Sequence, residues 1–86
     1  MRVVALGRSE ALLGLMLGGI KYRLETEEAG EALEFLHKLE EEGKKFLVIV
    51  TSQLYRKIEE DIEEIQSRNP AFIFYEFSGG GLKWRN

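Results

Sequence analysis

The run Phe46-Leu47-Val48-Ile49-Val50, closed by Thr51-Ser52, decides the fold. It is apolar without alternation, the pattern of a central parallel strand buried on both faces. A second run, Ala71-Phe72-Ile73-Phe74-Tyr75-Glu76-Phe77, is interrupted only by Glu76 and reads the same way. Between them Ser52 opens an amphipathic helix. Leu54, Ile58, Ile62 and Ile65 form its apolar stripe, and Glu59, Glu60, Asp61, Glu63 and Glu64 fall mostly outside it. Asn69-Pro70 ends that helix.

The pattern repeats towards the N-terminus. Residues 2–6 form a short apolar strand that meets the turn Gly7-Arg8-Ser9. Ser9 is placed to cap a helix over residues 10–18, which is apolar nearly all round and stopped by Gly18-Gly19. Residues 20–24 read as a strand in which Lys21 and Arg23 alternate with Ile20, Tyr22 and Leu24, as on a guarded edge. Thr26 is placed to cap the next helix, whose inner stripe is Ala29, Ala32, Leu33, Leu36 and Leu39, with Gly43 as its stop. The order is strand–helix repeated three times and then a strand. It predicts an α/β fold with a flavodoxin-like, four-stranded parallel sheet in order 2-1-3-4 and three helices. Residues 1–78 are expected to form a single α/β domain, and residues 79–86 a short Gly-rich tail.

Right-handed crossovers place the first helix on one face and the other two on the opposite face. The first helix can then cover only the first two strands. Strands 46–50 and 71–77 are left bare on its side, and the tail is expected to be too short to supply a covering helix. This argues for a partner surface more than a self-contained active site. The candidate interface residues are Leu15, Tyr75, Phe77, Leu82 and Trp84, since large exposed apolar patches mark interaction sites and Trp is enriched at binding anchors. Parity along the last strand is open at this stage, because it is apolar at both parities.

Composition limits the alternatives. The chain has 86 residues, net charge −3 and no cysteine, so disulfides and cysteine-ligated metals are excluded. Thirteen of the fifteen acids fall in residues 25–42 and 59–64, and acidic helices repel a phosphate backbone, so nucleic acid is not expected as a partner. The longest mostly apolar stretch, residues 11–20, is half of what a membrane span needs, about 20 residues, so direct membrane insertion is not expected and the chain reads as soluble and cytoplasmic. Phospho-acceptor chemistry in a fold of this order needs carboxylates at the ends of the first and third strands. Those places hold Leu6-Gly7-Arg8 and Thr51. His37, the only histidine, stands on a charged helix face, and no nucleophile–base pair, metal set or cofactor motif is found. The turns at Gly7-Arg8-Ser9, Thr51-Ser52 and Ser78 could hold a phosphate, and the rival to a partner surface is a free-standing ligand-binding or signalling domain that uses them.

Several soft motifs, taken in order, resemble the F subunit of the A-type and V-type ATPases of archaea and bacteria. The segment Gly14-Leu15-Met16-Leu17-Gly18-Gly19-Ile20 is similar to that family's G-F-x-L-A-G followed by an aliphatic residue. Thr26-Glu27-Glu28-Ala29 matches its acidic segment. The aliphatic strand ending in Thr51, the acidic helix after it, and the passage from Pro70 to Gly81 complete the order. Two departures stand out: the last strand ends Phe77-Ser78 with no proline, and a further C-terminal helix usual in the family does not follow. The resemblance implies a non-catalytic central-stalk rotor subunit. It would partner the coiled-coil D subunit of the stalk, couple ATP hydrolysis or synthesis to hydrogen-ion or other ion transport, and lie peripheral to the membrane through the complex. In isolation, self-association through the same bare face is the expected substitute.

Overall fold

The computed structural model describes residues 1–10, 12, 14, 18–79 and 81–85. The strands are β1 (Arg2–Leu6), β2 (Tyr22–Leu24), β3 (Phe46–Thr51), β4 (Phe72–Ser78) and β5 (Gly81–Arg85), and the helices are α1 (Ala29–Glu41) and α2 (Ser52–Arg68). They build one sheet in the order β2-β1-β3-β4-β5. The three pairs among β1 to β4 are parallel, as expected, and β5 joins β4 antiparallel. Among the described residues the sheet therefore has five strands and not four. Leu82 and Trp84 alternate with Lys83 and Arg85 after a Gly-rich turn, which gives the segment a strand period and a hairpin connection. Gly81, at φ 150°, takes up the backbone turn between the two strands.

Two helices are delimited among the described residues, where three were expected. Of the first expected helix, Glu10, Leu12 and Gly14 have helical backbone, and Ala11, Leu13, Leu15, Met16 and Leu17 lie outside the described residues. Ser9 accepts the Leu12 N–H at 3.5 Å, as its capping place predicts, but the other two caps differ from the sequence reading. α1 begins after Glu28, and Thr26 lies just upstream, where its buried hydroxyl accepts the Glu28 N–H at 3.1 Å and donates to Glu31 Oε1 at 2.6 Å. α2 starts at Ser52 itself, with Thr51 at the cap position. The Ser52 hydroxyl donates instead to the Phe77 carbonyl at 3.2 Å, fastening the helix start to β4.

The core lies on the face presented by Val4 and Leu6 of β1, Phe46, Val48 and Val50 of β3, and Phe72 and Phe74 of β4. Both α1 and α2 cover it, through Ala32, Leu36 and Leu39 and through Leu54, Tyr55, Ile58, Ile62 and Ile65. Tyr22, Phe46 and Phe72 form an aromatic row, with ring centroids 5.4 and 5.3 Å apart in edge or tilted geometry. The opposite face has a much smaller buried cluster, Ala5, Leu12 and Ile49, with Ile20, Leu47 and Phe77 half-buried around it. Leu12 thus brings the N-terminal helical residues onto β1 and β3, on the face opposite α1 and α2.

Candidate partner-binding face

Strand register shows how this second face is built. Val3, Leu47 and Ile73 stand side by side on β1, β3 and β4. Ala5, Ile49, Tyr75 and Trp84 form the next row, and Thr51, Phe77 and Leu82 the third. Residues directly opposite on antiparallel strands share a face, so Trp84 lies beside Tyr75 and Leu82 beside Phe77. Ala5 and Ile49 are sealed beneath Leu12, but the rows open outwards from there. Leu47, Ile73, Tyr75 and Phe77 are half-buried, while Val3 is 38%, Leu82 48% and Trp84 62% exposed.

Four of the residues singled out from sequence, Tyr75, Phe77, Leu82 and Trp84, are therefore brought together on β4 and β5. Leu15, the fifth, lies outside the described residues. The sequence reading did not name Val3, Leu47 and Ile73. The signal for them was present: each sits an even number of residues from Ala5, Ile49 or Tyr75 on its own strand, so one fixed parity would have placed the whole row. Between β4 and β5 the other face also carries a charge-complementary pair by register, Glu76 opposite Lys83.

The surface behind the helices has a different character. Arg68 at the end of α2 grips Glu40 of α1 through two bonds, Nη2 to Oε1 at 2.7 Å and Nε to Oε2 at 3.2 Å. Asn69 Nδ2 donates to the same carboxylate at 3.4 Å, and Arg68 Nη1 reaches Glu64 at 3.1 Å. The hydrogen bond from Arg68 holds the Glu40 carboxyl below its ordinary pKa, outweighing the opposing effect of burial, and Glu40 raises that of Arg68 in return. This is a clasp between two helices. His37 stands near it, and among the described residues no group of three or more acids, histidines or cysteines could hold a metal ion. No helix among the described residues is long and apolar enough to cross a membrane.

The site is thus an apolar sheet face on a small α/β protein of strand order 2-1-3-4-5, with no assembled acid–base or metal chemistry among the described residues. The model of the ATP synthase (F/14-kDa) subunit family matches residues 3–76, and the chain belongs to that family. The match runs from β1 into β4 and leaves β5 beyond it. No curated protein and no solved structure matches the chain. Family membership supports a role within an ATPase complex, with the other components of that complex as its partners.

Proposed function

We propose that this protein is the non-catalytic F subunit of the central stalk of an A/V-type ATPase, with a flavodoxin-like domain over residues 1–78 that helps couple ATP hydrolysis or synthesis to ion transport. Its partner in this reading is the coiled-coil D subunit of the stalk. Its place is the cytoplasmic side of the membrane, held there through the complex. The observation that carries the reading is the apolar face of β4 and β5. Trp84, Leu82, Tyr75 and Phe77 lie side by side in register, and α1 and α2 both pack on the other side. A standard-size interface buries about 800 Å² per partner.

The test is sedimentation of the isolated chain, followed by titration with the stalk coiled coil and Trp84 fluorescence as the local probe. The expected result is a stable complex in which Trp84 is shielded from an aqueous quencher. A chain that ignores the coiled coil, with its Trp84 quenching unchanged, would overturn the assignment.

A further inference from the structure

The open face of the sheet becomes steadily more exposed in one direction. Along its middle row Ala5 and Ile49 are buried, Tyr75 is half-buried and Trp84 is mostly exposed. Along the next row Thr51 is buried, Phe77 half-buried and Leu82 exposed. Both rows run out at β5, the last strand on that side. The opposite end of the middle row is different. Ala5 is in register with Arg23 of β2, so the face ends there on an exposed charge. One edge of the sheet is guarded by a cation, and the other ends in a bare indole and a leucine.

β5 also ends the backbone ladder. Among the described residues it pairs with β4 alone. Alternate residues of an edge strand turn their N–H and C=O groups outwards, which makes the edge a template for one more strand. The strand that fits is β5 of a second copy. Two identical antiparallel strands related by a twofold axis must have a residue on that axis, because hydrogen-bonded and non-hydrogen-bonded pairs alternate along the ladder. Lys83 is the middle residue of β5, so the register centred on it pairs the strand over its full length. That register sets Leu82 opposite Trp84 of the second copy, and Trp84 opposite its Leu82. Each row of the open face then continues into the other row of the second copy, and both exposed ends gain an apolar neighbour. On the other face the two Lys83 side chains meet at the axis, and β4 places Glu76 in register on the far side of each. The line Glu76–Lys83–Lys83–Glu76 carries no net charge.

We propose that two copies of this chain join through their β5 edges, antiparallel and centred on Lys83, into one continuous sheet. The joint is the strand edge, and the open face itself stays accessible across both copies. The inference does not rest on the stalk assignment, and either can fail without the other. A joint of one short strand from each copy belongs to the small, transient end of interfaces, below about 1,200 Å² in total. The dimer is therefore expected to fill at roughly 0.1–1 mM chain.

The test combines sedimentation and cysteine cross-linking on the whole chain. The weight-average mass should climb from one chain towards two as the concentration is raised through about 1 mM. Leu82→Glu, at an exposed position, sets a charge against Trp84 of the second copy. It acts twice in a twofold dimer and should weaken association by about tenfold or more. The chain has no cysteine, so a single introduced thiol reports one position. Under an added oxidant, Lys83→Cys should give a disulfide-linked dimer, since opposed Cα atoms on antiparallel strands stand about 4.5–5.5 Å apart, within disulfide reach. Leu82→Cys should link far more slowly, because its two thiols fall on diagonal neighbours about 7–8 Å apart. A mass that stays that of one chain through about 1 mM would overturn the proposal. So would association that Leu82→Glu leaves unchanged. A dimer in which Lys83→Cys links no faster than Leu82→Cys would place the contact on the open face or in another register, and would overturn it too.

Discussion

Val4, Val48 and Phe74 are completely buried beneath α1 and α2, whereas Val3, Leu47 and Tyr75, each one residue away on the same strands, keep part of their surface in water. The residue types on the two faces are nearly alike. What differs is the crossover geometry: the β2–β3 and β3–β4 connections place α1 and α2 on one side of the sheet, and among the described residues only the N-terminal helical ones lie on the other. Burial in this fold is thus decided by connection order more than by hydrophobicity. An apolar residue with no helix above it is available to another chain. Substitutions on each face, at the seam where the faces meet and in the helix layer separate these roles.

The sharpest contrast is between adjacent residues on β4. Phe74→Ala removes a fully buried ring from the closed face and should cost about 3–5 kcal/mol of folding stability, as large-to-small core changes do. That is a large part of the about 4–13 kcal/mol that the usual per-residue stability gives a domain of this size. Chemical denaturation measures it. Tyr75→Ala, one position along, should cost clearly less. Equal losses at the two positions would show that the open face is as much a part of the folding core as the closed one.

The second contrast separates folding from assembly. Trp84→Glu places a charge on β5, where the side chain is mostly exposed, so the folding midpoint should move little. Binding to the stalk coiled coil should weaken by about 2 kcal/mol or more if Trp84 is an interface anchor. Titration calorimetry beside a denaturation curve reads both quantities on one sample. A loss of folding stability as large as the loss of binding would place Trp84 in the intrachain core and remove the distinction between the faces.

Both faces were partly legible in the sequence, for identifiable reasons. Continuous apolar runs at 46–50 and 71–77 imposed parallel central strands, and with the 2-1-3-4 order of a flavodoxin-like sheet right-handed crossovers then fixed the side on which α1 and α2 pack. Parity along β4 was not legible, because Phe72 and Phe74 alternate with Ile73, Tyr75 and Phe77, and hydrophobicity is the same at either parity. Register with β3 and contact with α2 settle it. β5 was read as a tail although Leu82-Lys83-Trp84-Arg85 alternates, because a strand so short is defined by its pairing with β4 and not by its own pattern. Two of the three caps were misread by one or two residues, since Thr26 and Ser52 spend their hydroxyls on tertiary or local partners that a helix-start rule does not see. Tyr55, buried beside the expected stripe of α2, was not part of that stripe.

The third prediction tests the seam where the two faces meet at the strand C-termini. Gly7 combines a positive φ with contact against Thr51, so an alanine there is strained by its backbone and blocked by its neighbour. Gly7→Ala should cost about 1–3 kcal/mol, the scale of a residue held in an unfavourable backbone region. Trimming the neighbour with Thr51→Gly should return part of that loss, because the Cβ of Thr51 itself would lie 2.8 Å from the added methyl group. The φ strain should remain. A double-mutant cycle measures the coupling. A purely additive result would show that Thr51 moves aside freely and does not fix the geometry of the seam.

The smallest effect concerns the clasp that joins the two covering helices. Glu40 has its folded-state pKa depressed, chiefly by the hydrogen bond from Arg68. A depressed carboxyl binds its proton less readily in the folded protein than in the unfolded chain, so it favours the fold while ionised. Its contribution is complete above the ordinary value of 4.5 and disappears as the pH falls through the lower folded-state value. Glu40→Gln should therefore destabilise the protein slightly at neutral pH, and the gap between variant and parent should close on acidification. The clasp is near the surface, where salt screens such pairs, so the gap at neutral pH should also narrow with added salt. Denaturation midpoints at pH 7 and in the acid range, with and without salt, measure both trends. A gap that stays constant with pH would mean that Glu40 holds α1 on α2 by shape and neutral hydrogen bonding, and that its charge does not contribute to closing that face.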